Sequence, residues 1–275
     1  MENILRQKSG AADLRRFLDQ RADQFNHQSF IHLDPVSIPH RFTRRADQEI
    51  AGFFAATFAW GNRTTIIAKS LELMERMDHA PHDFILHHSE QDLKHLLGFR
   101  HRTFNDTDLL YFVHFFHLHF SGTHPGKPTG MDSASLESAF CQWMEPGDRD
   151  TGRALTGFHR YFTNTGDMPG RTGKHVATPA RKSTCKRLNM FLRWMVRLDD
   201  KGVDFGIWKK IRPAQLVCPV DLHVARVARR FGLLQRTQTD WQAAIELTEA
   251  LRRYDPQDPV KYDFALFGLG IDEKY

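Results

Sequence analysis

The chemistry-bearing residues of this chain fall into one short run and one charged segment. Asp221 follows Val217-Cys218-Pro219-Val220 and precedes Leu222-His223-Val224-Ala225-Arg226-Val227-Ala228-Arg229-Arg230-Phe231-Gly232-Leu233. Pro219 imposes an extended approach. Val224, Val227, Ala228 and Phe231 then fall on one helical stripe, with Gly232 where a C-cap is expected. Asp221 therefore stands at the N-cap of an amphipathic helix. Plain capping, worth about 1 kcal/mol, is one reading of it; a carboxylate that does acid–base work is the other. The charged segment lies upstream. Between Arg171 and Arg212 there are twelve Lys/Arg against three Asp, a surplus larger than the formal net charge of +5 carried by the whole chain. A basic field on an otherwise near-neutral body draws a polyanion to one face, unless it is only the solvated side of a helix.

Other signals lead nowhere definite. Of His114, His117 and His119, only the first two share a helical face, and no acidic partner sits one turn away, so structural or surface histidines are the expectation and no metal site is assigned. His82, His87 and His88 are equally undirected. Gly170-Arg171-Thr172-Gly173-Lys174 lacks the spacing and the preceding buried strand of a phosphate loop. There is no Gly-x-Ser-x-Gly elbow, and Cys141, Cys185 and Cys218 are too few and too scattered for a disulfide framework or a four-cysteine metal site. No cofactor is expected.

The elements that must position these residues read as helices. Apolar stripes recur at Ile50, Phe53, Phe54, Thr57 and Phe58; at Ile67, Leu71, Leu73 and Met74; at Leu109, Leu110, Phe112, Val113, Phe116 and Phe120; and at Leu188, Phe191, Leu192, Met195 and Val196. The spacing predicts helices over 46–60, 65–77, 106–120, 183–198 (with Ser183 as cap), 222–231 and 239–251, and a last one opened by Asp258-Pro259 and closed at Gly270. Phe84-Ile85-Leu86 is ambiguous between helix and strand, while 121–134 and 163–180 read as loops. The expected fold class is all-α, a compact two-lobed helical bundle with a cleft between lobes 1–165 and 166–275. The length of 275 residues, with 41% hydrophobic and 26% charged residues, suits one large globular unit and excludes disordered, collagenous or rod-like classes. No apolar run is long enough to span a membrane, and Met1-Glu2-Asn3-Ile4-Leu5-Arg6 lacks the basic head and apolar body of a signal peptide, so a cytoplasmic location is expected.

The run around Asp221 resembles the Pro-Val-Asp-x-His-Val-x-Arg signature of the helix-hairpin-helix / Gly-Pro-Asp superfamily of base-excision DNA glycosylases. The resemblance implies that Asp221 is the catalytic carboxylate and that His223 is the family's following histidine. Asp258-Pro259-Val260-Lys261-Tyr262-Asp263-Phe264-Ala265-Leu266-Phe267-Gly268-Leu269-Gly270 is similar to the family's final core helix. The usual Leu-Pro-Gly-Val-Gly-type hairpin is missing, and residue 202 is Gly. In this the chain is closer to the divergent archaeal 8-oxoguanine glycosylase branch, which has a longer Lys-to-Asp separation; the best matching lysine is then Lys186, in Ser183-Thr184-Cys185-Lys186-Arg187-Leu188-Asn189-Met190. The whole chain also resembles a bacterial conserved-hypothetical family sharing a Cys-Lys-Arg-Leu-Asn…Arg-Trp-Met-Val-Arg block.

The implied chemistry is consistent with the residues. A lysine in the first turn of a helix, near Lys182 and Arg187, meets a positive helix end and neighbouring cations, which favour the neutral, nucleophilic amine. Asp221 would stabilise an oxocarbenium-like sugar and assist proton transfer. Lys182, four residues away, is the rival nucleophile. His175, Arg181, Lys182, Ser183, Arg187 and Arg193 are the expected DNA contacts, and Trp60, Trp194 and Trp208 are candidates for a pocket that takes a flipped base, against core positions for each. The expectation is a DNA glycosylase, with AP-lyase activity as a further step, acting on a damaged purine such as 8-oxoguanine in duplex DNA. A non-catalytic nucleic-acid-binding helical protein of the same fold is the alternative, and a purely structural or partner-binding helical protein the third reading.

Overall fold

The computed structural model describes residues 11–271, so the Met1–Arg6 segment lies outside the described residues. In chain order its α-helices are α1 (Ala11–Phe25), α2 (Gln28–Ile31), α3 (Arg45–Phe58), α4 (Arg63–Arg76), α5 (Pro81–His87), α6 (Glu90–Lys94), α7 (Asp106–Phe120), α8 (Leu136–Cys141), α9 (Gly152–Thr163), α10 (Lys186–Val196), α11 (Leu222–Arg230), α12 (Trp241–Arg252) and α13 (Asp263–Ile271). Among the described residues the only β-pairing is a two-residue antiparallel ladder, Arg100–His101 with Phe104–Asn105. The chain is therefore mostly helical, as the apolar periodicity predicts. None of the described helices is long and apolar enough to cross a membrane.

Local signals set most helix boundaries. Asn105 caps α7 in a reciprocal capping box with Asp108. Asp240 caps α12 by accepting from the Ala243 N–H, and Gly232 follows α11 with φ +69°. Two expectations need correction. Ser183 does not cap α10: the helix begins at Lys186 after Cys185, which is in the left-handed region, and the Ser183 hydroxyl instead accepts from the Cys185 N–H. Asp258 does not cap the last helix: its carboxylate is drawn to Arg197, and a 3-10 turn (Pro259–Tyr262) precedes α13. On α4 Ile66, Ser70, Leu73 and Met74 are fully buried, and Ile67 and Leu71 pack half-buried against the same cluster. The ambiguous 84–86 run is helical, within α5.

The apolar side chains form two clusters. The first is rich in phenylalanine and joins α3, α7, α9 and α10; the Phe53 ring meets Phe116, Phe158 and Phe191 at centroid distances of 5.4, 5.6 and 5.3 Å. The second, of smaller aliphatic residues, joins Leu18 and Ala22 of α1 to α11, α12 and α13 and to Val217, Cys218 and Val220. Both clusters draw residues from either side of position 165. α13 belongs to both: Phe264 faces the first, and Ala265, Leu266 and Leu269 the second.

A buried ionic network ties the two clusters together. Arg193 of α10 pairs with Asp204 at 3.3 Å and with Asp263 of α13; Arg197 pairs with Asp199, Asp204 and Asp258 at 2.7, 3.1 and 2.8 Å. Two of the twelve basic residues of the charged segment are thus neutralised inside the protein. The network fixes α10 against α13, and the candidate site lies where α10, α11 and α13 meet.

Candidate active site

Asp221 does cap α11, and the capping uses only one of its oxygens. Oδ1 accepts from the N–H groups of His223 and Val224 at 2.9 and 3.0 Å. Oδ2 is left facing Lys186, whose Nζ lies 3.6 Å away, and the two side chains are 27% and 24% exposed. Capping and chemistry are therefore compatible: the cap holds the carboxylate rigid while the second oxygen meets the amine. The extended approach to the cap is anchored by the Cys218 N–H, which donates to the Thr248 hydroxyl at 3.0 Å.

Lys186 is the first residue of α10. The loop before it is tightly wound, with Lys182 and Cys185 both left-handed (φ +59° and +52°), conformations that cost energy in residues other than glycine. The Asn189 side chain reaches back to the Thr184 carbonyl at 3.0 Å and holds the loop on the helix. This winding brings Lys186 into a cleft of about 680 Å³ and leaves Lys182 outside its lining. Lys182 is exposed, and its carbonyl accepts from the Trp241 N–H at 3.2 Å.

The cleft is lined by Asp34, Trp60, Arg63, Lys174, Ser183, Lys186, Arg187, Met190, Asp221, His223 and Phe267, among others. Four cations against two carboxylates make it attractive to an anion. Its inner end, bounded by Asp34, Lys186, Met190, Arg193, Asp263 and Phe267, narrows to a small recess. Burial raises the carboxyl pKa of Asp34, opposed by the Val36 N–H that Asp34 accepts and by Arg193. Burial likewise moves Asp263 up to about 6, opposed by its Arg193 partner. Trp60 offers a flat wall whose outer face carries the Arg102 guanidinium, 4.5 Å from a ring centroid, and its Nε1–H is buried with no hydrogen-bond partner.

The other predicted residues separate into three sets. Arg181 and Lys182 are exposed on the loop, and Ser183 lines the cleft. Arg187 lines it too, but its guanidinium donates to the carbonyls of Thr57 and His175; no carboxylate pairs with it among the described residues, and burial lowers its pKa to about 10. His175 does not line the cleft, and Arg193 borders only the small recess at its inner end. Each is 5% exposed. His175 sits against Asp108 at 3.2 Å, with burial holding its pKa down at about 4, and Arg193 is held by Asp204 and Asp263. Both are corrected from DNA contacts to internal supports. Of the tryptophans, Trp194 and Trp208 are core residues, the latter donating to Glu49 at 2.7 Å, and Trp60 alone of the three lines the cleft.

Sequence reasoning missed Asp34, Arg63, Lys174, Met190 and Phe267. Met190 lies one turn after Lys186 on the same helix face, Lys174 within the basic segment and Phe267 within the run that resembles the final core helix, whereas Asp34 and Arg63 reach the cleft from remote segments without a signal. Among the described residues no group of three His, Cys, Asp or Glu could hold a metal ion. His117 donates to the Ile85 carbonyl and His119 to that of Ser135, so these histidines serve the fold. No curated protein and no solved structure matches the chain. A family described as "Protein of unknown function (DUF2400)" matches residues 34–272, a span that opens at Asp34 and includes every lining residue named above, and the chain belongs to that family.

Proposed function

We propose that this DUF2400 chain is a DNA glycosylase with AP-lyase activity, built as a two-lobed helical protein with the substrate cleft between the lobes. The observation that carries the reading is the 3.6 Å approach of the Lys186 amine to the free oxygen of Asp221 within a cation-lined cleft of about 680 Å³. That volume lies in the usual range for small-ligand sites, about 300–1,000 Å³, and suits a nucleoside turned out of a duplex. Trp60, Met190 and Phe267 supply apolar walls for a base, while Arg63 and Lys174 at the same cleft suit flanking phosphates.

In this reading the Lys186 Nζ lone pair attacks C1′ of the extruded nucleotide. The N-glycosidic bond breaks, and the base leaves with the bonding pair and takes up a proton. Asp221 stabilises positive charge on the sugar and accepts the proton that Nζ loses. Opening of the sugar ring gives an imine between Nζ and C1′. Removal of a C2′ proton then expels the 3′ phosphate by β-elimination, and water releases the lysine. Asp34, whose carboxyl pKa burial pushes up, lines the same cleft and suits a hydrogen bond to a purine edge.

The test is borohydride trapping on duplexes containing 8-oxoguanine or an abasic site. The wild-type chain gives a covalent complex, Lys186→Ala gives none and Lys182→Ala gives the wild-type yield. No trapping by the wild type defeats the lyase step; if salt-sensitive duplex binding persists without base release, the chain is a non-catalytic nucleic-acid-binding protein. Trapping that survives Lys186→Ala moves the nucleophile elsewhere.

A further inference from the structure

Two cations of the Lys186 cleft, Lys174 and Arg187, are answered by no carboxylate. Lys186 faces Asp221 at 3.6 Å, and Arg63 and Lys186 both act on the Asp34 carboxyl. Lys174 and Arg187 line the same cleft and make no ion pair among the described residues.

A single turn holds these two cations together. Thr172–His175 is a 3-10 turn that carries Lys174. Asp108 pins it: the Thr172 hydroxyl donates to Oδ1 at 2.8 Å, and the His175 ring sits 3.2 Å from Oδ2. The His175 carbonyl then accepts from the Arg187 guanidinium at 3.2 Å, so the turn that carries one cation orients the other. The charges of both act on the His175 ring. The Thr57 carbonyl holds the second terminal nitrogen of Arg187. The Nε–H of Arg187 is neither buried nor engaged among the described residues, which leaves it open to a ligand in the cleft. Lys174 is exposed at the same cleft. A guanidinium anchored on neutral carbonyls keeps its whole charge, and burial works against that charge. An anion arriving beside it offsets the cost.

The charge count says which anion. A phosphodiester inside a strand carries one negative charge, whereas a terminal phosphate carries about 1.5 to 2 at neutral pH. Two unanswered cations held by one turn match the terminal group. We propose that Lys174 and Arg187 form the seat of a terminal phosphate, the group that β-elimination leaves on the strand 3′ of the lesion. Its place in the reaction rests on the lyase reading above; the binding itself does not. In the elimination the C2′ proton passes to Asp221, once that carboxylate has given its earlier proton to the opening ring oxygen. The C2′–H electron pair forms the C2′=C3′ double bond. The C3′–O bond breaks and its pair stays on the phosphate oxygen, so a singly charged diester becomes a doubly charged monoester. Cations at that point hold the departing group more tightly than the intact strand, and binding of that kind speeds the step.

The experiment compares, by fluorescence anisotropy with the full chain, thymidine pentamers that carry an internal dye and end in a 5′-phosphate or in its 5′-methyl ester. The wild type binds the phosphate about tenfold more tightly than the ester, and Lys174→Ala and Arg187→Met each remove most of that preference. Equal affinity for the two ends in the wild type overturns the proposal. So does a preference that survives Lys174→Ala, an exposed position that decides alone if Arg187→Met does not fold, and so does one lost only in Arg63→Ala. On an abasic duplex both variants give the wild-type yield of borohydride trapping but cleave the strand about tenfold more slowly. Loss of trapping and cleavage together removes the leaving-group role. No trapping by the wild type defeats the lyase reading, and the preference for the phosphate end then still decides whether the seat exists.

Discussion

Replacing Asp221 by Asn and by Ala separates the two tasks of this one side chain. Its Oδ1 caps α11 through two N–H groups, and its Oδ2 faces Lys186. Asn is as good a cap as Asp, so Asp221→Asn keeps the helix start and loses only the charge opposite Lys186. That ion pair is about a quarter exposed on both sides and so contributes roughly 0–1 kcal/mol. Asp221→Ala also loses the cap, a further cost of about 1 kcal/mol, or roughly 3 °C in Tm for a chain of this size. The chemistry does not divide this way. Both variants lose the proton acceptor, and general acid–base catalysis of this kind is worth about 10²- to 10⁴-fold. Single-turnover cleavage of an abasic duplex, run beside thermal melting, therefore gives a large and equal rate loss in both variants with unequal melting temperatures. A near-wild-type rate for Asp221→Asn, with destabilisation only in Asp221→Ala, would reduce Asp221 to a helix cap and refute the mechanism.

Three further outcomes are expected. Arg193→Leu strands the buried carboxylates of Asp204 and Asp263, so it costs about 3–5 kcal/mol in denaturant unfolding; unchanged stability with weakened DNA binding would return Arg193 to the interface. Arg181→Ala and Lys182→Ala each make the dependence of log affinity on log salt shallower by about 0.9 if each meets one phosphate, measured on an undamaged duplex; an unchanged slope removes the loop from the binding surface. His119 is fully buried, and burial holds its pKa down at about 4 against the ordinary 6.5. The unfolded chain therefore takes up a proton at this residue below pH 6.5 while the folded chain does not until about pH 4, and stability falls as pH drops through that window, by roughly 3 kcal/mol from this one group. His119→Gln, less stable at pH 7 through lost packing, escapes this loss, so its deficit in denaturant titrations narrows between pH 7 and pH 4.5; a constant deficit contradicts the assignment.

Much of the local structure was legible in the residue pattern, because it depends on neighbours within a few positions. The stripe Ile50, Phe53, Phe54, Thr57 and Phe58 is wholly buried on α3, the predicted 106–120 helix matches α7, and Asp221, Asp240 and Gly232 end helices where their side chains or lack of one allow it. The errors came where a residue had a stronger distant partner. Asp258 abandons capping for Arg197, 61 residues away, and Arg193 and His175 look like surface cations until Asp263 and Asp108, 70 and 67 positions off, are folded against them. A charge run in a sequence does not distinguish a guanidinium facing solvent from one facing a buried carboxylate.

What the sequence alone determined, then, is a helical chain with a carboxylate fixed at one helix start and a basic loop before another. Tertiary structure decided that Oδ2 of that carboxylate stays free and meets Lys186 rather than Lys182, and that Asp34, Trp60 and Phe267 close the same cleft from three remote segments. The physical reason is one of range. Capping and amphipathic period are settled by the backbone within a turn or two, whereas the sharing of one cleft depends on how α10, α11 and α13 pack around a buried ionic network whose members are scattered along the chain.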